Sequence, residues 1–184
     1  MTFFPKIKIN FSELTPSNYV GVDNLISNRG GRSDSGCVPK SGNHVQFKKR
    51  DILIGNIRPY LKKIWFADRD GGTNGDVLVI RLNHNDRTVN ARYLYHVLSS
   101  DYFFDYNVQH SKGAKMPRGD KDAIMDYLIP VPAVEDQNKI VSILDEFESF
   151  LNDISVGLPA EISARRKQYE CYRDRLFRFE EAHP

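Results

Sequence analysis

Short apolar runs separated by turn residues dominate the first half of the chain. One β-branched run covers residues 51–58 and ends at Pro59, and a second covers residues 77–82 after the turn-rich segment 70–75. Runs of this length, bounded by Gly, Pro and Asn, are typical of buried strands. Residues 60–67 combine aromatic bulk with cations, which favours a strand with one solvated face.

Helical spacing first occurs at residues 90–98. Leu94, Val97 and Leu98 fall on one side of a helix, and Asn90 precedes them as a suitable N-cap. The first part of the chain is therefore predicted to be a mixed α and β module.

A proline-containing connector, residues 129–134, separates this module from a predicted amphipathic helix at about 135–155. Each proline removes a donor and pushes the preceding residue toward an extended conformation, so the connector is not regular helix. Glu135 and Asp136 place negative charge at the positive end of the helix dipole. Apolar residues then recur at spacings of three and four: Ile140, Ile143, Leu144, Phe147, Leu151 and Ile154.

The helical pattern breaks at residues 157–159 and resumes as a second predicted helix at about 159–181. Its apolar stripe consists of Ile162, Tyr169, Tyr172, Leu176 and Phe179. The two helices either cover the chain's own sheet or form an antiparallel coiled-coil arm. About 25 helical residues beyond Pro159 would extend roughly 35 Å, more than a cover needs, which favours the arm.

Positive charge is unevenly distributed, although the formal net charge of the 184 residues is only +2. Residues 1–134 carry 19 Lys and Arg against 13 Asp and Glu, whereas residues 135–184 carry 7 against 11. The excess is steepest within residues 40–69, whose acidic residues are Asp51 and Asp68 and whose cations are Lys40, Lys48, Lys49, Arg50, Arg58, Lys62, Lys63 and Arg69. Such a segment is a candidate for contact with a polyanion.

The sequence lacks the residue spacings that several enzyme classes require. A restriction-type nuclease site places an acidic residue two positions before a lysine, and no Asp-x-Lys or Glu-x-Lys occurs. A phosphate-binding P-loop needs Gly-Lys-Ser/Thr, and the five histidines are not spaced as metal ligands. We therefore predict a chain that is not an enzyme and that uses neither a cofactor nor a metal.

Membrane and export signals are also missing from the sequence. No stretch of about 18 consecutive apolar residues occurs. The N-terminal residues lack the basic segment, apolar run and cleavage site of a secretory signal. These observations predict a cytoplasmic protein.

Two basic clusters, residues 56–63 and 110–119, combine side chains that suit contact with DNA. Arg, Lys and Asn neutralise phosphates or pair with base edges, and the Tyr60 ring can brace them. We assign base readout to Asn56, Arg58, Asn74, Lys115 and Arg118, and phosphate anchoring to Lys48, Lys49, Lys62, Lys63 and Lys112. A basic loop is more often a solvated surface, so charge alone leaves that alternative open.

Four segments resemble, in this order, the specificity subunits of type I restriction-modification systems. They are residues 19–24 (YVGVDN), residues 47–60 (FKKRDILIGNIRPY), residues 129–141 (IPVPAVEDQNKIV) and residues 157–176 (including GLPAEI and RRKQYECYRDRL). Each segment is degenerate alone, and their order makes the set specific. Ala133 departs from the pattern, because the family often has another proline there.

The resemblance implies a target-recognition domain of mixed α+β fold, residues 1–134, followed by a helical spacer arm, residues 135–184. It implies recognition of half of a bipartite double-stranded DNA target without catalysis by this subunit. The implied partners are the methyltransferase subunits and, through them, the restriction/translocase subunit.

Subunits of this family usually contain two recognition domains, whereas this chain has one. The chain is then a fragment, a truncated product, or a half-subunit that restores the two-fold arrangement by homodimerising, which we favour. The predicted dimer contacts are Ile162, Tyr169, Tyr172, Leu176 and Phe179. Two other functions stay open: a helical assembly scaffold that does not touch DNA, and a hydrolase of nucleic acid for which no acid, base or metal site is identifiable.

Overall fold

The structure, a computed structural model, describes residues 2–83 and 87–157, with side chains as far as Ser149. Its strands are β1 Thr2–Phe3, β2 Lys8–Asn10, β3 Tyr19–Val20, β4 Asn43–Phe47, β5 Ile52–Gly55, β6 Ile64–Phe66, β7 Gly71–Thr73 and β8 Val77–Leu82. Its helices are α1 Ala91–Leu98, α2 Asp101–Gln109, α3 Lys121–Asp126 and α4 Val134–Gly157. Two short 3-10 turns are Phe11–Glu13 and Pro59–Leu61.

The strands form two four-stranded sheets, which confirms the predicted α+β class with a mixed sheet. The first sheet has the order β1-β8-β5-β6, and its neighbouring strands are all antiparallel. The second has the order β2-β4-β7-β3, in which β3 runs parallel to β7 and the other pairs are antiparallel.

The first sheet is buried on both faces, which explains why its central strands are continuous apolar runs. One face carries Ile52, Ile54, Ile64, Leu78 and Ile80, which pack with Leu94, Tyr95, Leu98, Phe103, Phe104 and Ile124 of the helices. The other face carries Leu53, Trp65, Val77 and Val79, which pack with Val20, Leu25, Phe47 and Ala67. The strands predicted within residues 51–58 and at 77–82 are confirmed as β5 and β8.

Two predictions near these strands are wrong. Residues 60–67 are strand only from Ile64, because Pro59 fixes its own φ and begins the turn Pro59–Leu61. Residues 71–73, predicted as turn, form β7 in the middle of the second sheet. Its glycine permits close approach of the chain, since a Cβ on Gly71 would lie 2.0 Å from the carbonyl oxygen of Asn18.

The helices agree with the sequence at α1 and α4. The Asn90 side chain accepts a hydrogen bond from the Arg92 N–H at 2.8 Å, which confirms the predicted N-cap. α4 begins at Val134, the last residue of the connector, and covers the predicted helix 135–155. α2 and α3 were not predicted. The predicted second helix, 159–181, lies outside the described residues. None of the described helices is long and apolar enough to cross a membrane.

The first turn of α4 is fixed to the rest of its compact unit, Met1–Val141, by Gln137. This side chain is fully buried. Its Oε1 accepts from the Asn90 N–H at 2.8 Å, and its Nε2 donates to the carbonyl oxygens of Thr88 at 2.7 Å and Pro132 at 2.8 Å. The boundary predicted between residues 134 and 135 stays a prediction.

Candidate nucleic-acid interface

Two loops meet at one end of the first sheet because its strands are antiparallel. β5 ends there, whereas β6 and β8 begin there. The N–H of Asn56, directly after β5, donates to the carbonyl oxygen of Asp76, directly before β8, at 2.8 Å. The topology therefore brings residues 56–63 and residues 74–76 together.

A third segment, residues 110–119 after α2, is held at the same end by backbone hydrogen bonds. The Arg58 N–H donates to the carbonyl oxygen of Pro117 at 2.8 Å, and the Gly119 N–H donates to that of Asn56 at 3.1 Å. Lys112 and Arg118 exchange two backbone hydrogen bonds, of 2.8 and 2.9 Å, which close the loop. The two basic clusters thus form one surface with residues 74–76, which we call the loop surface.

Basic residues in and beside the loop surface adopt left-handed backbone, which L-residues other than Asn and Asp rarely do. Arg58 has φ 54° and Lys62 has φ 51°, and these two residues flank the turn Pro59–Leu61. Arg29, whose N–H donates to the Lys62 carbonyl oxygen at 2.9 Å, has φ 62°. Each such residue costs about 1–3 kcal/mol, and strain of this kind clusters at functional sites.

Carboxylates neutralise part of the positive charge of the loop surface. Arg118 Nη2 lies 2.9 Å from Asp76 Oδ1, and Lys112 Nζ lies 2.5 Å from Asp120 Oδ2. The hydrogen bond between Lys112 and Asp120 lowers the pKa of the carboxyl and raises the pKa of the ammonium. Two exposed cations of the loop surface, Arg58 and Lys115, make no ion pair with any described residue.

A second group of charges lies where α2 packs against the turn Pro59–Leu61. Arg29 Nη2 and Lys62 Nζ both contact Oδ1 of Asp101, the first residue of α2. Arg29 Nε also donates to the carbonyl oxygen of Ser99, and its guanidinium lies 5.7 Å from the ring centroid of Phe104. The hydrogen bond from Lys62, followed by that from Arg29, lowers the pKa of Asp101 from 3.8 to about 2.

Three other predicted site residues lie in or beside the same loops. The Tyr60 side chain is half exposed, at 51%. Lys63 is more restricted, because its Nζ donates to the carbonyl oxygen of Val22 at 2.7 Å. Asn74 Oδ1 accepts from the Asp76 N–H at 3.1 Å, so this side chain stabilises the turn before β8.

Asn56 belongs to the segment that forms the loop surface, but its side chain is buried beneath that surface. The residue is 5% exposed, so the predicted base contact requires a conformation other than the described one. Its Oδ1 has no hydrogen-bond partner among the described residues, and the same holds for both polar atoms of the neighbouring Asn107 side chain. Gly119 covers them closely, since a Cβ there would lie 2.4 Å from Asn107 Oδ1 and 3.0 Å from Asn56 Oδ1.

Lys48 and Lys49 lie at the opposite end of the first sheet. They precede β5, whose four residues span about 13 Å. The Lys48 N–H donates to Asp51 Oδ2 and the Lys49 N–H to Asp70 Oδ1, each at 2.7 Å. The basic segment 40–69, continuous in sequence, is therefore divided between two ends of the sheet.

Sequence reasoning missed two cations. The pattern around Arg29 indicates only a flexible Gly-rich turn, and nothing local signals its contact with Asp101, 72 residues away. Arg81 lies within the apolar run of β8 and pairs with Asp51 at 2.7 Å, and both side chains are at most 7% exposed. A cation inside an apolar strand is itself the signal that could have revealed this pair.

The predicted dimer contacts lie outside the described residues: Ile162, Tyr169, Tyr172, Leu176 and Phe179. The described part of α4 carries the start of the apolar pattern, and these side chains are between 38% and 62% exposed: Ile140, Ile143, Leu144 and Phe147.

Residues 18–164 match the family described as type I restriction modification DNA specificity domain. The chain is 40% identical over 89 residues to a type I restriction enzyme specificity subunit of Escherichia coli. This alignment covers 48% of this chain and 22% of that protein. It is 31% identical over 135 residues to a putative type I restriction enzyme specificity subunit of Haemophilus influenzae, which covers 72% of this chain and 33% of that protein.

Solved structures share the fold. The HsdS subunit of Thermoanaerobacter tengcongensis gives a TM-score of 0.62 at 22% identity, over 93% of this chain and 44% of that chain. A chain from a type I restriction-modification system gives a TM-score of 0.64 at 21% identity, over 99% of this chain and 52% of that chain. The chain thus matches between about a fifth and a half of the length of these proteins. Because the family match covers more than half of its residues, the chain belongs to the type I restriction-modification DNA specificity domains.

Proposed function

We propose that the chain reads one half of a bipartite double-stranded DNA target within a type I restriction-modification complex. One observation carries this proposal: backbone hydrogen bonds join two basic clusters, distant in sequence, into one loop surface at the end of a rigid sheet. Loops held by a rigid scaffold are where recognition residues concentrate. The family to which the chain belongs supplies the class of ligand.

The structure narrows the roles that we propose for single residues. Base readout belongs to Arg58, Asn74, Lys115 and Arg118, and phosphate anchoring to Lys62, Lys63 and Lys112. We no longer assign base readout to Asn56, because it is buried in the described conformation. Lys48 and Lys49 lie at the other end of β5, so we no longer assign phosphate anchoring to them.

The helical arm is the proposed site of assembly. The exposed apolar side chains of α4 suit a partner helix, because apolar residues at spacings of three and four form a continuous stripe. We propose that an antiparallel coiled coil, completed by the second predicted helix, holds two copies together and docks the methyltransferase subunits. Through these, it recruits the restriction/translocase subunit, and the chain itself makes and breaks no bonds.

DNA binding by the full chain tests the recognition role. Fluorescence anisotropy with a labelled duplex, repeated from 50 to 200 mM salt, reports the number of phosphates neutralised. If five or six phosphates are contacted, the log-log slope is about −5. A helical scaffold that does not touch DNA predicts no salt-sensitive binding, and that result would contradict the proposal.

Mass in solution tests the assembly role. Light scattering is expected to give a dimer for the parent chain and a monomer when Tyr172 and Leu176 are both changed to Glu. A parent chain that is monomeric at micromolar concentration contradicts the homodimer. Incubation with plasmid and magnesium is expected to leave the plasmid intact, and nicking would support the hydrolase alternative instead.

A further inference from the structure

We propose that Arg29 and Lys62 form a phosphate-binding site beside the loop surface, and that the carboxylate of Asp101 occupies this site and competes for it with the phosphates of DNA. The inference rests on the proposed function and deepens it. It adds Arg29 to the DNA interface, and it gives Asp101 the role of an internal competitor for phosphate.

The two cations converge on a single oxygen atom. Arg29 Nη2 and Lys62 Nζ both contact Oδ1 of Asp101, although Asp101 comes from a different element, the first turn of α2. The side chains of the two cations are 31% and 27% exposed, whereas the carboxylate is 66% exposed. The anion therefore faces solvent with the cations behind it, which is the arrangement that an incoming phosphate oxygen would need.

Contacts other than the one with Asp101 also position the Arg29 guanidinium. Its Nε donates to the carbonyl oxygen of Ser99, and the guanidinium packs near the ring of Phe104. The left-handed backbone of Arg29 and Lys62 and the hydrogen bond between the Arg29 N–H and the Lys62 carbonyl oxygen fix the two residues relative to each other. A preorganised pair loses little conformational entropy when it binds phosphate.

The alternative is that this ion-pair group only stabilises the fold. Exposed ion pairs contribute little to stability, because solvent screens them. A carboxylate that neutralises two cations on a DNA-binding face has a larger effect on affinity, because each cation that contacts phosphate releases a counterion. Asp101 is thus placed to weaken binding to DNA of any sequence. Base contacts must then supply the binding free energy that allows a target sequence to be bound.

The experiment exchanges Asp101 for Asn and uses Asp105→Asn as the matched control. Asp105 is exposed one helical turn further along α2 and makes no ion pair within the described residues. Both variants change the net charge by the same amount on the same helix. Binding of the full chain to a pool of random-sequence duplexes is measured by anisotropy from 50 to 200 mM salt.

Asp101→Asn is expected to steepen the salt slope by about 0.9 to 1.8, for one or two additional phosphate contacts. At 0.1 M salt each contact corresponds to about eightfold tighter binding, from the same slope of 0.9 per phosphate. Asp105→Asn is expected to leave the slope unchanged. Adding Arg29→Gln to Asp101→Asn is expected to remove at least half of the gain.

Equal affinity and slope for Asp101→Asn and Asp105→Asn would overturn the inference. Asp101→Ser repeats the measurement with a smaller residue, and thermal melting shows that each variant is folded. A parent chain whose binding does not respond to salt refutes the proposed function itself. The two failures are therefore distinguishable.

Discussion

Among single residues, Arg81 and Asp51 show most clearly how a charge can be part of the core. Arg81 Nε lies 2.8 Å from Asp51 Oδ1 and Arg81 Nη2 lies 2.7 Å from Asp51 Oδ2, so the pair is bidentate. Asp51 also accepts from the Lys48 N–H. The hydrogen bonds that Arg81 donates to Asp51 raise the pKa of Arg81. These contacts compensate the loss of hydration only while both partners are present.

Arg81→Met is expected to destabilise the chain by about 3–5 kcal/mol, because it leaves the Asp51 carboxylate buried without its counter-ion. Urea unfolding followed by circular dichroism measures the loss. Arg69→Met is the control, since Arg69 pairs with Asp68 on the surface and its removal is expected to leave the midpoint nearly unchanged. Similar midpoints for the two variants would contradict a structural role for the buried pair.

The left-handed backbone of Arg58 allows the effect of this residue on stability to be measured separately from its effect on DNA affinity. Arg58→Gly is expected to raise the free energy of unfolding by about 1 kcal/mol relative to Arg58→Ala, since glycine adopts a φ of 54° without strain. Both variants remove the same charge and are expected to lose the same DNA affinity. Urea unfolding and anisotropy measure the two quantities, and an equally stable Ala variant would show that the conformation is not strained.

Among the secondary structure elements, those whose local pattern agrees with their packing could be predicted. β8 is an apolar run and is buried on both faces, and α1 has an N-cap and an apolar side. α2 could not be predicted, because its stability depends on burying Phe103 and Phe104 beneath distant elements. β7 contains two glycines that sequence rules assign to a turn, and its strand form depends on close approach of neighbouring chains.

The candidate site shows the same limit. The residue types of the two basic clusters are visible in the sequence, but their union depends on backbone hydrogen bonds between Arg58 and Pro117 and between Gly119 and Asn56. The exclusion of Lys48 and Lys49 depends on strand direction, which the composition of residues 40–69 does not contain. Long-range pairing, and not composition, therefore determines which cations share a surface.

The start of α4 depends on one buried amide. Gln137→Glu is expected to cost about 2–5 kcal/mol, because the carboxylate loses both hydrogen bonds that Nε2 donates, to the carbonyl oxygens of Thr88 and Pro132. Asn138→Asp is the control, because its Oδ1 still accepts from Asn90 Nδ2 at an exposed position. Urea unfolding compares the two, and a Gln137→Glu variant as stable as Asn138→Asp would contradict the anchoring role.

Across the whole molecule, the placement of positive charge matters more for contact with DNA than its amount does. The excess of cations in residues 1–134 predicts a polyanionic partner, whereas the fold decides which end of the first sheet meets it. The loop surface keeps Arg58 and Lys115 outside ion pairs within the described residues, while Lys112 and Arg118 are paired with carboxylates. Lys48 and Lys49 at the opposite end are also exposed and make no ion pair among the described residues, so unpaired charge alone does not distinguish the two ends. The loop surface is expected to contact DNA because backbone hydrogen bonds join two basic clusters there.

Two double variants with equal loss of charge test this claim most directly. One changes Arg58 and Lys115 to Gln on the loop surface, and the other changes Lys48 and Lys49 to Gln at the opposite end of β5. In anisotropy titrations with random-sequence duplexes, the first variant is expected to bind at least about tenfold more weakly at 0.1 M salt. Its salt slope, measured from 50 to 200 mM, is expected to be smaller in magnitude by about 1 to 2. The second variant is expected to bind as the parent chain does. Equal losses in both variants, or a larger loss at Lys48 and Lys49, would contradict the account.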